Sequence, residues 1–149
     1  MTVCIDASLI IKCLTYEPDS DKAIDWLSTH KDEEMVAPAF FLAEVASVIR
    51  QKVRQDELTL DEAQEAFDAL ESLDVRLLLD FALMRRAFDL AAELDQPTIY
   101  DTLYLAVAER EQCDLWTADA RFTRHLHQDV GHGVVLLVGA PIRVQAHRR

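Results

Sequence analysis

Short apolar and β-branched runs alternate along the chain with longer stretches of helical periodicity. The runs Thr2 to Ile5, Glu34 to Ala37, Val75 to Leu78, Asp114 to Thr117 and Val134 to Val138 read as strands. Strands that alternate with helices predict βα units, hence a three-layer α/β/α fold around a mostly parallel sheet of about five strands. Among the helical stretches, Thr59 and Glu62 have capping-box spacing, and Leu60, Ala63, Phe67, Leu70 and Leu73 then recur as one face of a surface helix. Asp19 or Ser20 stands where a cap is needed for a helix burying Ile24 and Leu27, and Ala82 to Leu94 and Leu103 to Glu111 supply two further helices. The segment around Phe40, Phe41, Val45 and Val48 is apolar on nearly every side, which predicts a helix buried all round.

With 149 residues, half of them hydrophobic, the chain can bury the core of one domain. The expectation is a single domain over residues 1–142 followed by a short basic tail, 143–149. No apolar run reaches the roughly 18 to 20 residues that span a bilayer, and the N-terminus lacks the features of a secretory signal, so a cytoplasmic location is expected. Cys4, Cys13 and Cys113 form no CxxC pair and read as small core residues rather than a disulfide framework. With three glycines in all, two of them flanking His132, the chain offers neither GxGxxG nor a phosphate-cradling P-loop. The clustered His125, His127 and His132 lack the spacing of a transition-metal site, and Trp26 and Trp116 are read as core or subunit-contact residues.

Four acids stand apart from this pattern. Asp6 follows the first strand and Asp119 the fourth, at the carboxyl ends where open α/β sheets place their ligands. Each is equally well explained as a helix cap, and Thr98 with Asp101 has the spacing of a capping box. Glu44 has no such explanation: a carboxylate on an apolar helix needs a cation or hydrogen bonds, and Arg50 and Lys52 lie at positions that do not face it. Four carboxylates gathered at one switch point repel one another, and a hard divalent cation with oxygen ligands, Mg²⁺ or Mn²⁺, resolves that repulsion.

These residues resemble the PIN-domain family, and in size and layout the VapC-type toxins of bacterial toxin–antitoxin pairs. The resemblance rests on I-D-A-S-L-I-I-K with Asp6 and Ser8, P-A-F-F-L-A-E-V-A-S-V with Glu44, Y-D-T-L-Y-L-A-V-A-E with Asp101, and L-W-T-A-D-A-R-F with Thr117 and Asp119. It implies a metal-dependent endoribonuclease held inactive by an antitoxin. On that reading Asp6, Glu44, Asp101 and Asp119 hold one or two Mg²⁺ or Mn²⁺ ions and activate a water, and Ser8 and Thr117 supply supporting or phosphate-facing hydroxyls.

The net charge of −12 is the wrong sign for gripping RNA by a basic face, and a bound cation at the site offsets it locally. Arg50, Lys52, Arg54, Arg121 and Arg124 are the candidates for touching RNA phosphates or an antitoxin. Apolar excess on several helices suggests a homodimer as well as an antitoxin groove. The rival reading is a non-catalytic PIN-like scaffold that binds RNA or protein. A phosphoacceptor signalling module ranks below it, because Leu77 to Leu79 fill the third strand and no lysine follows Lys52.

Overall fold

The computed structural model describes residues 1–122 and the backbone of residues 134–136. Strands β1 (Thr2–Ile5), β2 (Glu34–Pro38), β3 (Val75–Leu78), β4 (Leu115–Thr117) and β5 (Val134–Leu136) form one sheet in the order β3-β2-β1-β4-β5. Every pairing is parallel. The chain therefore winds outward in one direction through β2 and β3, then returns to add β4 on the other side of β1. That reversal opens a crevice between the carboxyl ends of β1 and β4, the usual ligand position in a doubly wound sheet.

Helices α1 (Ala7–Leu14) and α2 (Ser20–Thr29) connect β1 to β2, α3 (Phe41–Arg54) and α4 (Leu60–Ser72) connect β2 to β3, and α5 (Phe81–Glu93) and α6 (Tyr100–Glu111) connect β3 to β4. With right-handed crossovers, the reversal after β3 sends α5 and α6 to the face opposite the other four helices. The contacts agree: α6 lies against β1, β2 and β4, while α1 packs on β4, α2, α3 and α4. Helix α6 presents an unbroken buried run from Thr102 to Ala108, because sheet and α5 enclose it from both sides.

The Thr59 capping box forms: Glu62 N–H donates to Thr59 Oγ1 and Thr59 N–H to Glu62 Oε2. Other local expectations change. Helix α4 buries Ala63, Ala66 and Leu70, leaving Leu60 76% exposed and Phe67 at the surface, since its contact stripe is narrower than its apolar content. Helix α2 buries Ala23 and Trp26, with Leu27 half-buried, and turns Ile24 outward. Its cap residue Asp19 sits in the left-handed region without a side-chain cap bond. Helix α3 is not buried all round, for only Phe41, Val45 and Ile49 are enclosed and Leu42 is exposed. Trp26 is a core residue whose ring stacks on His30 and tilts against Trp116. Cys4 is buried, and Cys13 and Cys113 are half-buried. No described helix is long and apolar enough to cross a membrane.

Burial separates the two leucines of α4 in a measurable way. Leu70→Ala should cost about 2–5 kcal/mol of unfolding free energy, the range for emptying a core site, whereas Leu60→Ala should stay within about 0.5 kcal/mol of wild type. Urea denaturation of the two variants checks this, and equal losses would contradict the packing of α4.

Candidate active site

Asp6 leaves β1 at the centre of the carboxyl edge, and its backbone N–H bonds to Trp116 of β4. It occupies the N-cap position of α1 but makes no side-chain cap bond. Its carboxylate instead receives two hydroxyl protons on Oδ2, from Ser8 Oγ at 2.6 Å and from Thr117 Oγ1 at 2.6 Å. Each hydroxyl has one proton, so the 3.2 Å approach between Ser8 and Thr117 is a contact of two committed oxygens. Both oxygens also accept backbone N–H groups, of Ala118 on Ser8 and of Asp119 on Thr117. The result is a closed hydrogen-bond knot joining the ends of β1 and β4.

The knot does not neutralise the charge at its centre. Burial pushes the Asp6 carboxyl above its ordinary range; the two hydroxyl bonds pull it down, and Asp119 adds repulsion. Asp119 lies just past β4, where Oδ1 accepts N–H from Arg121 at 2.8 Å and from Phe122 at 3.4 Å. Its cap reading is thus realised on one oxygen.

Glu44 stands in the first turn of α3, where the helix N-terminus favours negative charge, so its position has a conventional element that its apolar neighbours hid. It is half-buried. Tyr104 of α6, itself buried, donates its hydroxyl to Glu44 Oε2 at 2.9 Å. Desolvation, with repulsion from Asp6 and Asp101, raises the Glu44 carboxyl to about 7 despite that bond. Burial and the facing carboxylates push the Tyr104 phenol far up, which keeps it a neutral donor at any working pH.

Asp101 occupies the exposed first turn of α6. The helix cap is Ile99, so the Thr98–Asp101 capping box does not form. The four acids thus form an electrostatic chain, in which Asp101 and Asp6 act on Glu44 and Asp119 acts on Asp6. Among the described residues no lysine or arginine pairs with Asp6, Glu44 or Asp119. Nor do any three His, Cys, Asp or Glu side chains among them stand close enough to hold a metal ion in this arrangement. The donor chemistry, carboxylate and hydroxyl oxygen throughout, suits a hard divalent cation, and the uncompensated repulsion supplies the reason for one.

The basic candidates fare differently. Lys52 is engaged by Glu17 at 2.8 Å and Glu57 at 3.1 Å, so it braces the α1–α2 turn against the end of α3 instead of standing open to RNA. Arg50 and Arg54 are exposed, but at 1.5 Å per residue they lie roughly 9 and 15 Å beyond Glu44 along the helix axis. Arg121 is exposed beside Asp119, and Arg124 lies outside the described residues, as do His125, His127 and His132 and the basic tail. Tyr104 was missed by sequence reading. Its signal is a hydroxyl three residues after Asp101 on a helix that is otherwise buried and apolar.

The chain belongs to the PIN domain family, whose model matches residues 3–125. Its fold is similar to VapBC2 from Rickettsia felis, solved bound to a DNA fragment from its promoter, at TM-score 0.63 and 17% identity over 83% of this chain and 92% of that one. It is similar to Mycobacterium tuberculosis VapC20, described as a sarcin-ricin loop cleaving toxin, at TM-score 0.64 and 15% identity over 82% and 93% of the two chains. A toxin–antitoxin complex from Klebsiella pneumoniae aligns at TM-score 0.65 and 15% identity over 93% and 99%. No curated protein matches the sequence significantly.

The raised Glu44 carboxyl carries a stability signature of definite sign. From the ordinary 4.5 up to about 7 the folded chain keeps a proton that the unfolded chain has lost, so stability falls as pH rises through that window. Glu44→Gln retains an acceptor for Tyr104 and removes the penalty. In metal-free buffer it should melt a few degrees above wild type at pH 8, with the difference shrinking to about one degree or less near pH 5. Melting curves at the two pH values decide it, and a gap independent of pH would refute the assignment.

Proposed function

We propose that this PIN-domain protein is a Mg²⁺- or Mn²⁺-dependent endoribonuclease, acting as the cytoplasmic toxin of a toxin–antitoxin pair. The observation that carries this reading is the pair of desolvated, mutually repelling carboxylates, Asp6 and Glu44, on a carboxyl edge where no described cation pairs with either.

Asp6, Glu44, Asp101 and Asp119 are the residues that would hold the ion. When bound, it would lower the pKa of a coordinated water and offset charge on the phosphodiester. Ser8 and Thr117 fix Asp6 by donating to one oxygen, which orients the carboxylate across the crevice. Tyr104 does the same for Glu44 and leaves Oε1 free of that bond. Asp119, with one oxygen on the backbone, would contribute the other. No side-chain nucleophile is required, and the hydroxyls are already committed as donors to Asp6.

Protein partners have two candidate surfaces. Leu42, Ala46, Phe67, Leu73, Val75 and Leu77 line an apolar groove of about 450 Å³ between α3, α4 and the edge strand β3, suited to an amphipathic segment of an antitoxin. On α5, Phe81 and Phe88 are 78% and 68% exposed, one helical face that a second copy would cover in a homodimer.

A second reading is favoured by one observation: the acids are not gathered into a ready-made ligand cluster. That suits a PIN-like scaffold that binds RNA or protein without cleaving. Structured RNAs incubated with Mg²⁺ or Mn²⁺, then with chelator, separate the two. Asp6→Asn and Asp101→Asn should each lower metal-dependent cleavage by on the order of 100-fold or more while keeping the wild-type circular dichroism. Cleavage unchanged in both would remove the mechanism.

Partner binding gives an independent outcome. Phe67→Asp should release a co-expressed antitoxin in pull-down and restore growth arrest, with cleavage by the purified variant within about twofold of wild type. Retention of the antitoxin would place its groove elsewhere.

A further inference from the structure

Beside Glu44 lies a second feature that metal chemistry does not use. Phe40, Ala43, Glu44, Ser47 and Tyr100 enclose an open cavity of about 430 Å³. Tyr100 is 61% exposed and immediately precedes Asp101. Its ring meets Phe40 edge-on at 5.5 Å, and Phe40 meets Tyr104 edge-on at 5.4 Å. Tyr104 in turn bonds to Glu44. A column of three aromatic rings therefore runs from the solvent to the carboxylate, with its outermost ring exposed.

We propose that Tyr100 and Phe40 form a stacking site for an unpaired RNA base, next to the acids that receive the adjoining phosphate. The proposal rests on the nuclease reading and specifies its substrate as single-stranded or looped RNA. The cavity sets one carboxylate, Glu44, beside aromatic and apolar side chains, the same division a nucleotide makes between a phosphate held through a cation and a flat base. Among the described residues no lysine or arginine lines the cavity, so affinity there comes from stacking. Stacking gives a chain of net charge −12 a means of holding RNA that does not depend on its basic residues. A base inside a duplex is already stacked on its neighbours and cannot present its face to Tyr100, so the site selects unpaired nucleotides. A second protein copy is the weaker occupant. The two exposed rings of α5, Phe81 and Phe88, offer a second copy a more exposed apolar face than Tyr100 with its half-buried neighbour Phe40.

The test uses the full chain and a single-stranded RNA carrying 2-aminopurine, whose fluorescence is quenched on stacking, with Ca²⁺ as the probe cation. Wild type should quench the probe and bind it at least about tenfold more tightly than the same sequence in a duplex. Tyr100→Ala should weaken binding about tenfold or more, the scale of one lost stacking partner, and Tyr100→Phe should stay within about twofold. In cleavage assays the loss should fall on KM more than on kcat, with Mn²⁺ affinity by titration calorimetry unchanged. Equal binding by wild type and Tyr100→Ala, or no quenching by wild type, overturns the stacking site. So does a Tyr100→Ala variant that sediments as a smaller assembly than wild type, because the ledge is then a protein interface. Metal-dependent cleavage insensitive to Tyr100 would leave the nuclease reading standing without this site. Tyr100-dependent quenching without cleavage would do the reverse.

Discussion

A buried carboxylate at the end of the central strand is the constraint around which the carboxyl edge is organised. Asp6 has been taken out of water with no described lysine or arginine paired to it, an arrangement that costs several kcal/mol unless hydrogen bonds or an ion compensate. Two hydroxyl bonds supply part of that compensation. They also fix the side chain, since Ser8 and Thr117 are themselves held by the N–H groups of Ala118 and Asp119. Glu44 is pushed up first by its own burial and further by the charges of Asp6 and Asp101, and it takes a bond from Tyr104. Strand order, helix starts and the aromatic column therefore converge on one electrostatic problem.

The described bases are mostly employed elsewhere. Arg76 links Glu34 to Glu111 at the amino edge of the sheet, Arg110 holds Asp80 at the start of α5, and Lys12 and Lys52 share Glu17. These pairs are partly or largely exposed, so their contribution to stability is small. Their effect is on distribution: the acids they hold are screened, while Asp6 and Glu44, paired with no described lysine or arginine, act on each other.

Much of the fold was legible because parallel strands buried on both faces leave compact apolar runs. The predicted strands start at the observed residue or one before it, Pro38 extends β2, and the last two residues of the run predicted for β5 lie outside the described residues. Helix faces were harder to read. Apolar residues such as Ile24, Leu42 and Leu60 fit the helical period yet remain exposed, because the period gives a stripe's direction and not its width. Hydrogen-bonding roles depend on tertiary partners. Asp6 sits in a cap position without capping, Thr98 falls outside its supposed box, and Tyr104 acquires its function from a residue 60 positions earlier. The motif pattern in the sequence pointed to the acids and to Ser8 and Thr117 as supporting hydroxyls, but not to the bonds that tie both of them to Asp6.

The bond from Thr117 to Asp6 closes a loop of 111 residues. The strand that carries Thr117 is inserted beside β1 only after β2, β3 and all six intervening helices have been made. During synthesis Asp6 is among the first residues to emerge, and it lacks this partner until about three-quarters of the chain has followed. A chain that stops before β4 therefore has its carboxyl-edge acids unassembled, because Asp6 meets Thr117 only once that strand is in place.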